Sequence, residues 1–200
     1  MSNVIGVVNY GIAGNIHSIK KALEQAGADY AIVESADQLT RVDKIILPGV
    51  GSFKDAISEL HSGGLFGPLK RYIPQKPTLG ICLGMQILSN IGFEFGTTEG
   101  MGLFNAEVKP ILCDASVPHM GFNKIKVVND NHLLTGIDEQ YFYFMHSYEV
   151  VNYTDIAALT TYSEHQFVSA IAKGNVFGVQ FHPEKSRGAG IQLFKNFINL

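Results

Sequence analysis

Short apolar runs alternate with helical patterns through the first half of the chain, and this alternation constrains the fold more than any other feature. The runs are dominated by apolar residues, many of them β-branched. Such runs are typical of parallel strands that helices cover on both faces of a sheet. The sequence therefore predicts an α/β fold with a mostly parallel sheet, whose first strands lie at residues 4–10, 29–34, 43–49 and 77–82.

The rest of the pattern completes this outline. The segment from Asn15 to Gly27 has apolar residues at helical spacing, with Asn15 as its predicted N-terminal cap. Ser52 is followed three positions later by an acidic residue, as helix N-termini often are. After about residue 104 strand patterns follow one another, and a closing helical pattern covers residues 189–200. We therefore expect antiparallel strands added to the sheet in the second half. Because the sequence shows no linker or repeat, residues 1–200 are interpreted as a single domain.

Composition excludes several classes of function. The chain has 15 Lys and Arg residues against 18 Asp and Glu residues, mixed along its length, so no basic stripe is available to bind nucleic acid. No membrane-spanning run of about 18 apolar residues occurs, and the N-terminus does not have the pattern of a signal peptide. Its two cysteines are too few for a disulfide scaffold. We therefore expect a cytoplasmic protein with reduced thiols.

The segment GICLG, residues 80–84, has the form of a nucleophile elbow, a tight turn between a strand and a helix. Glycines on either side let the backbone approach its neighbours closely, and the central side chain is raised above the sheet. The N–H groups at the start of the following helix favour negative charge on that side chain. Most free cysteines are small core residues, and Cys113, which lacks this context, is interpreted as one. Cys82, by contrast, is predicted to be a nucleophilic thiolate.

A thiolate nucleophile needs an acid/base partner, and the segment GVQFHPEKS, residues 178–186, supplies one. Pro183 favours an extended conformation at His182, so the side chain of Glu184, two residues on, can lie on the same side and orient the imidazole. Cys82, His182 and Glu184 are therefore predicted to form a catalytic triad. The spacing of the His, Cys and Asp residues matches no metal site, so no metal is expected.

A third element of acyl-transfer chemistry is an oxyanion hole, and the segment LPGVGSF, residues 47–53, is a candidate for it. It leaves a predicted strand and opens a helix, so the N–H groups near Val50 and Gly51 could face a developing oxyanion. The N–H of Leu83, directly after the nucleophile, would be the second donor. An ordinary glycine turn would have a similar sequence, so the segment indicates an oxyanion hole only in combination with the elbow and the histidine.

Several motifs together carry a family resemblance. The segments GICLGMQ, PGVGSF, PHMGFN, YFMHSY and FGVQFHPEKS resemble the class I (triad-type) glutamine amidotransferases, most closely the glutaminase subunits of imidazole glycerol phosphate synthases, over nearly the whole chain. The resemblance implies a three-layer, flavodoxin-like fold with helices on both faces of the sheet. PGVGSF together with PHMG distinguishes this branch from the anthranilate, guanylate and pyridoxal phosphate branches.

The resemblance implies a reaction and a substrate. By it, Cys82 attacks the side-chain amide of L-glutamine, His182 protonates the leaving ammonia and then activates water, and Glu184 orients His182. Glutamate and ammonia result, and no cofactor is implied. The positions that line the glutamine pocket in the family are matched by Gly51, Gln86, His146, Ser147 and Tyr148.

The resemblance also implies a partner. In the family the glutaminase forms a heterodimer with a (βα)8-barrel cyclase/synthase subunit, which takes the ammonia through its own core. That subunit converts a phosphoribulosyl-formimino carboxamide nucleotide into imidazole glycerol phosphate and the aminoimidazole carboxamide ribotide in histidine biosynthesis. Positions on the docking face are matched by Asn15, Phe122, Tyr143 and Lys185.

Two departures from the family pattern lie on this docking face. Phe122 stands where the family often has an anchoring tryptophan, and NYGIAGN, residues 9–15, has an asparagine for aspartate and one extra residue. Relatives of this subunit supply ammonia for sugar-nucleotide amidation in surface-polysaccharide synthesis, and an altered docking face would suit such a paralogue. The histidine pathway is the preferred hypothesis, because the catalytic and pocket motifs are kept.

Two alternative hypotheses of function, from other classes of protein, remain open. A cysteine peptidase or esterase could use the same triad, although the sequence has no obvious signal of a peptide-binding cleft. A catalytically inactive binding domain is the other alternative, but such domains usually lose a member of the triad. Assays with glutamine, peptide and ester substrates would separate these alternatives.

Overall fold

The computed structural model describes residues 3–11 and 15–200 of the chain. Its strands, in chain order, are β1 (Ile5–Val8), β2 (Tyr30–Val33), β3 (Lys44–Leu47), β4 (Thr78–Ile81), β5 (Ile91–Gly92), β6 (Thr98–Glu99), β7 (Glu107–Pro110), β8 (His119–Lys124), β9 (Lys126–Val127), β10 (Tyr141–His146), β11 (Tyr148–Val151), β12 (Ile156–Tyr162), β13 (His165–Lys173) and β14 (Val176–Val179). Its α-helices are α1 (Ile16–Ala26), α2 (Ala36–Leu39), α3 (Phe53–Ser62), α4 (Phe66–Tyr72), α5 (Leu83–Ile87) and α6 (Arg187–Ile198). Short 3-10 helices cover Ile73–Gln75, His132–Leu134 and Pro183–Lys185.

A central sheet of eight strands runs in the order β2-β1-β3-β4-β14-β13-β12-β9. The pairs from β2 to β14 are parallel, and the pairs from β14 to β9 are antiparallel. Two smaller sheets stand beside it, the pair β10-β8 and the four strands β11-β7-β5-β6. The predicted α/β fold, with parallel strands first and antiparallel strands added later, is confirmed.

Helices cover both faces of the central sheet, as the apolar runs predicted. On one face α1 and α6 bury Ile19, Leu23, Leu193, Phe194 and Phe197 against the sheet. The other face packs against α3, α4 and α5. The strands between them, such as β3 and β4, are therefore buried along their whole length. Within the described ranges, no helix is long and apolar enough to cross a membrane.

The helix starts differ in how they are capped. The hydroxyl of Ser52 accepts a hydrogen bond from the N–H of Asp55 at 3.2 Å, which confirms the cap predicted for α3. Asn15 precedes α1, but its side chain makes no capping hydrogen bond, and its backbone lies in the left-handed region with a φ of 93°. Its side-chain amide is used elsewhere, as described below. The inserted residue predicted between Gly11 and Asn15 lies outside the described residues.

The parallel strands place their carboxyl ends at one edge of the sheet, and this is the edge where ligands bind in folds of this type. Tyr10 follows β1, and the segment 48–51 follows β3. Cys82 follows β4 directly, and Gln180 and His182 follow β14. Residues that are far apart in the sequence therefore meet at this edge because of the sheet topology.

Candidate active site

Cys82 lies at the sharp turn between β4 and α5, as the glycine pattern predicted. Its φ is 53°, a value that costs energy for any residue with a side chain. A Cβ on Gly84 would lie 1.8 Å from the carbonyl oxygen of Leu47, so only glycine fits where the turn packs against β3. The thiol itself is buried, and its Sγ lies 3.9 Å from the carbonyl oxygen of Met145.

His182 and Glu184 form a buried pair beside this thiol. Nδ1 of His182 lies 2.7 Å from Oε1 of Glu184, and both side chains are fully buried. A carboxylate accepts, so Nδ1 carries the hydrogen and Nε2 is the ring nitrogen left for the thiol. Burial lowers the pKa of His182, but the charge and hydrogen bonding of Cys82, followed by those of Glu184, outweigh it and raise that pKa to about 10. The Cys82 thiol and the Glu184 carboxylate therefore both favour the protonated form of His182.

Asn15 reaches this pair from the start of α1. Its Nδ2 donates a hydrogen bond to Oε1 of Glu184, the oxygen that also accepts from His182. The family resemblance implies that Asn15 lies on a partner-docking face, and the structure adds a direct contact with the Glu184 carboxylate. A carboxylate that accepts two hydrogen bonds on one oxygen is held in a fixed rotamer. Asn15 therefore links the end of the segment after β1 to Glu184.

Three backbone N–H groups lie at the mouth of the elbow. Within the described part of the chain, those of Val50, Gly51 and Leu83 have no hydrogen-bond acceptor. Gly51 has a φ of 96°, a conformation that favours glycine. The hydroxyl of Tyr10 donates to the carbonyl oxygen of Pro48 at 2.6 Å and so holds the start of this segment. The predicted oxyanion donors thus belong to residues that line the same pocket as Cys82, and they have no acceptor within the described residues.

Cys82 and the three residues with free N–H groups line one pocket with a volume of about 220 Å³. All the residues predicted to bind glutamine or to form the oxyanion hole line it, together with three residues that the sequence analysis missed, Glu94, Pro118 and Met145. Its full lining is Val50, Gly51, Cys82, Leu83, Gln86, Glu94, Pro118, Met145, His146, Ser147 and Tyr148. A pocket of this size fits a small molecule of amino-acid dimensions.

Glu94 is the charged residue of the pocket that sequence reasoning did not find. It follows β5 in a short loop, and no motif surrounds it. Its Oε2 accepts a hydrogen bond from the N–H of Phe53 at 2.7 Å, at the start of α3. Burial, and then the charge of Glu94, raise the pKa of Tyr148. The structure therefore places a carboxylate side chain in the wall of the pocket that also contains Cys82.

Both N–H groups of Gln86 are used inside the protein. Its Nε2 lies 3.0 Å from the carbonyl oxygen of Tyr148 and 3.0 Å from Oε1 of Gln180. A side-chain amide has two N–H donors, so Gln86 can contact a ligand in the pocket only through its oxygen. This restricts the glutamine-binding role predicted for Gln86 to that of an acceptor.

A pair of buried histidines stands behind the pocket. Nδ1 of His119 lies 3.1 Å from Nε2 of His146, and Nδ1 of His146 lies 2.9 Å from the carbonyl oxygen of Tyr148. The carbonyl can only accept, so each histidine carries its hydrogen on Nδ1. Burial lowers the pKa of His119 to about 4 and that of His146 to about 3, so both rings are neutral.

This pair is expected to make the protein sensitive to acid. In the unfolded chain both rings bind a proton near their ordinary pKa of 6.5, whereas the folded protein excludes it until about pH 4. Stability should therefore fall as the pH drops below 6.5, by about 1.4 kcal/mol per pH unit for each proton taken up on unfolding. Urea unfolding of wild type and His119→Asn between pH 7 and about 4.5 measures this slope. The variant keeps the hydrogen bond to His146 without the titration, so an equal slope in both proteins would contradict the prediction.

The other residues predicted to face a partner form a cluster beside the triad. The rings of Phe122 and Tyr143 meet edge to face at 5.5 Å, and Nζ of Lys185 lies 5.5 Å above the ring of Tyr143. Arg187 stacks over Phe122 at 5.2 Å, and Phe122 is 45% exposed. The N–H of His182 donates to the carbonyl oxygen of Tyr143 at 2.8 Å. We call Phe122, Tyr143, Lys185 and Arg187 the aromatic face; it adjoins the triad through β10.

The part of the chain that the structure describes contains no group of three or more His, Cys, Asp or Glu side chains able to hold a metal ion. Cys113 is partly buried, and its Sγ lies 3.8 Å from the carbonyl oxygen of Ala115, far along the chain from the elbow.

Comparison with known proteins identifies relatives of this chain. The family model for class-I glutamine amidotransferases matches residues 7–200. The imidazole glycerol phosphate synthase subunit HisH 1 of Campylobacter jejuni is 40% identical over 202 residues, which cover 98% of this chain and 100% of the relative. The corresponding HisH subunit of Bacillus licheniformis is 43% identical, with 97% of this chain and 95% of the relative covered. Among solved structures, PurLQS from Thermotoga maritima matches with a TM-score of 0.78 at 21% identity, covering 100% of this chain and 99% of that one. That last likeness concerns the fold alone.

Proposed function

Because the chain belongs to the class I glutamine amidotransferase family, we propose that it is the glutaminase subunit of an imidazole glycerol phosphate synthase. In this role it hydrolyses L-glutamine and passes the ammonia to a (βα)8-barrel cyclase/synthase subunit in histidine biosynthesis. The observation that carries the hydrolysis is the position of Cys82, beside the His182–Glu184 pair and in the wall of a pocket with unpaired N–H donors. The assignment to histidine biosynthesis rests on the imidazole glycerol phosphate synthase subunits that match this chain over nearly their full length.

The reaction proceeds in two halves. The Cys82 thiolate attacks the side-chain carbonyl carbon of glutamine, and the charge that develops on the oxygen is stabilised by the N–H groups of Leu83 and the Val50–Gly51 segment. His182 gives its Nε2 proton to the departing nitrogen, so ammonia leaves and a thioester remains. His182 then takes a proton from water, which attacks the thioester and releases glutamate and the thiolate. Glu184 holds the ring in the required tautomer throughout.

The pocket also offers groups for the other end of the substrate. Free glutamine carries an α-ammonium group, and Glu94 supplies a carboxylate in the pocket wall that can pair with it. The oxygen of Gln86 is a second acceptor. A substrate with a blocked α-amino group lacks this pairing, and its approach would bring an uncompensated Glu94 charge against a neutral group. These contacts favour the free amino acid over an internal peptide segment, which argues against the peptidase alternative.

The partner is proposed to dock on the aromatic face. Its side chains combine the exposed ring of Phe122 and the partly buried ring of Tyr143 with the cations of Lys185 and Arg187. Aromatic residues and arginine are enriched at protein interfaces, and tyrosine and arginine are among the residue types that carry most of the binding energy there. The face contacts the triad twice, through the backbone of Tyr143 and through the 3-10 helix Pro183–Lys185. Asn15 contacts Glu184 from the adjacent helix. A partner bound here would therefore lie close to where ammonia is released.

Reconstitution tests the proposed function. The subunit is combined with the histidine-pathway barrel encoded in the same genome, and glutamine-dependent formation of imidazole glycerol phosphate is measured, with Cys82→Ser as the blank. We expect product, and we expect Phe122→Ala to weaken association about thirtyfold because it removes an aromatic anchor. Val128→Ala is the matched control, since Val128 is 43% exposed but adjoins β9 at the far edge of the sheet.

Two results would redirect this assignment. If no imidazole glycerol phosphate forms with that barrel, but glutamine is hydrolysed with a barrel relative encoded beside this chain, the sugar-amidating paralogue is the better description. Phe122 in place of the family's tryptophan is the feature that favours it. If neither barrel supports turnover of glutamine, the family chemistry is lost in this chain.

A further inference from the structure

Two buried glutamine side chains form a chain of hydrogen bonds that ends at the nucleophile. Gln86 lies in α5 and is 5% exposed, and Gln180 follows β14 and is fully buried. Nε2 of Gln86 donates to the carbonyl oxygen of Tyr148 and to Oε1 of Gln180, each at 3.0 Å. Nε2 of Gln180 lies 3.6 Å from Sγ of Cys82. These hydrogen bonds therefore connect the pocket wall to the sulfur of Cys82.

The carbonyl oxygen of Tyr148 fixes the donor and acceptor roles of both glutamine amides. The carbonyl oxygen of Tyr148 can only accept, so Gln86 turns its NH₂ group toward it. The second hydrogen of that NH₂ group points to Gln180, which must therefore present its oxygen to Gln86. The NH₂ group of Gln180 is then left facing the sulfur. A reversed Gln180 amide would set its nitrogen against the Gln86 donor and its oxygen against the sulfur.

We propose that Gln180 stabilises the Cys82 thiolate by donating an amide hydrogen bond to Sγ, and that Gln86 is a positioning residue that holds the Gln180 amide in this orientation. The proposal rests on the proposed role of Cys82 as nucleophile and deepens it. A donor aimed at the charged form of a group favours that form, and an acceptor in the same place would disfavour it. Because Gln180 is itself fully buried, water has little access to take the place of its amide on that side of the sulfur.

Other ionisable groups also face Cys82, and they stay unchanged in the experiment. His182 and Glu184 lie after β14, and Tyr10 lies after β1, where burial and then the charge of Cys82 raise its pKa. His146, Glu94 and Tyr148 line the same pocket. Substitution of an uncharged amide by an uncharged side chain alters none of these charges. A shift in thiolate formation between variants therefore reports the amide.

The experiment follows the ultraviolet absorbance of the thiolate across pH for wild type, Gln180→Met, Gln86→Met and the double variant. Each spectrum is corrected by the same protein carrying Cys82→Ser. Methionine keeps the length of the side chain without its donors. We expect Gln180→Met to move the pH midpoint of thiolate formation upward by about one unit, a roughly tenfold fall in thiolate on the acid side. Gln192→Met, an exposed substitution on α6, is the matched control and should not move it.

The double variant is the decisive comparison. Since Gln86 acts through Gln180, we expect Gln86→Met to shift the midpoint in the same direction, and the double variant to shift it no further than Gln180→Met alone. An unchanged midpoint in Gln180→Met, or additive shifts in the double variant, would overturn the proposal. If Gln180→Met does not give a native circular dichroism spectrum, Gln86→Met decides by the same criterion, and its unchanged midpoint would overturn the orientation role.

Failure of this inference can be told apart from failure of the proposed function. Labelling of wild-type Cys82 by a glutamine-mimicking electrophile tests the function and does not involve Gln180. If Cys82 is labelled but the pH midpoint of thiolate formation is unshifted in the variants, the glutaminase assignment stands. Only the proposed roles of the Gln180 and Gln86 amides are then removed. Absence of labelling in wild type, with or without partner, would remove both.

Discussion

Cys82→Ser is expected to lower glutamine hydrolysis by about 10⁴-fold or more while leaving the fold intact. A serine hydroxyl is far less acidic than a thiol, so it stays neutral where a thiol can ionise and is a much weaker nucleophile. The substitution is also nearly isosteric, so the tight packing of the elbow against β3 is preserved. Steady-state glutamate release in the presence of the liganded partner measures the loss, and circular dichroism checks the fold.

Labelling gives an independent reading of the same prediction. A glutamine-mimicking electrophile should modify Cys82 in preference to Cys113, because only Cys82 lies in the pocket with N–H donors and a histidine beside it. Cys113→Ser is the control and should keep normal turnover and normal labelling. Peptide mapping that found the label mainly on Cys113, or a Cys82→Ser protein with near-normal turnover, would show that the nucleophile is assigned to the wrong residue.

The parts of the site that the sequence predicted are those fixed by local backbone geometry. An elbow needs glycines at set positions around its centre, and His182 before Pro183 is extended as predicted. Glu184, however, lies in the 3-10 helix Pro183–Lys185, so the turn of that helix, and not the alternation of a strand, brings its carboxylate to His182. The oxyanion segment follows a strand whose neighbour carries the elbow, so sheet topology alone places it nearby. Short-range rules of this kind can be read from one sequence.

Contacts between distant side chains were not predictable in the same way. Asn15 and Glu184 are 169 positions apart, and nothing in either local pattern indicates that an amide predicted as a helix cap reaches a carboxylate after β14. Glu94 reaches the pocket because a loop folds back over the start of α3, and Gln180 meets Cys82 because β14 pairs with β4. Such pairings depend on how layers pack, and packing leaves no periodic signal in the sequence.

The same distinction applies to Asn15 and the aromatic face. Family resemblance assigned them one role, that of meeting a partner. The structure shows that Asn15 and Tyr143 also contact Glu184 and His182 directly. A partner that docks on the aromatic face, as proposed, would contact residues that are hydrogen-bonded to His182 and Glu184. This contiguity leads to the final prediction, which concerns the effect of the partner on the rate.

The isolated subunit is expected to hydrolyse glutamine slowly, and its liganded partner is expected to raise the rate by about 10²–10³-fold or more. Ammonia made without an acceptor is lost, so a donor that is presented only in the complex would prevent waste. The segment from Pro48 to Gly51 is suited to this. Tyr10 holds the Pro48 carbonyl at one end, whereas Gly49 and Gly51 on either side of Val50 allow a peptide plane to turn between them.

The size of the effect follows from the chemistry of the oxyanion. Removing one preorganised donor typically costs about 10²–10³ in kcat, so a donor that points away until the partner binds should cost the same. Glutamate release is measured with the subunit alone, with the barrel, and with the barrel plus its nucleotide ligand. A kcat effect at little changed KM identifies a donor used only in the transition state, whereas a change in KM alone would indicate assembly of the pocket. Equal rates in all three conditions would mean that Val50, Gly51 and Leu83 already present a complete oxyanion hole in the free subunit, and that the contacts between the aromatic face and the triad carry no signal.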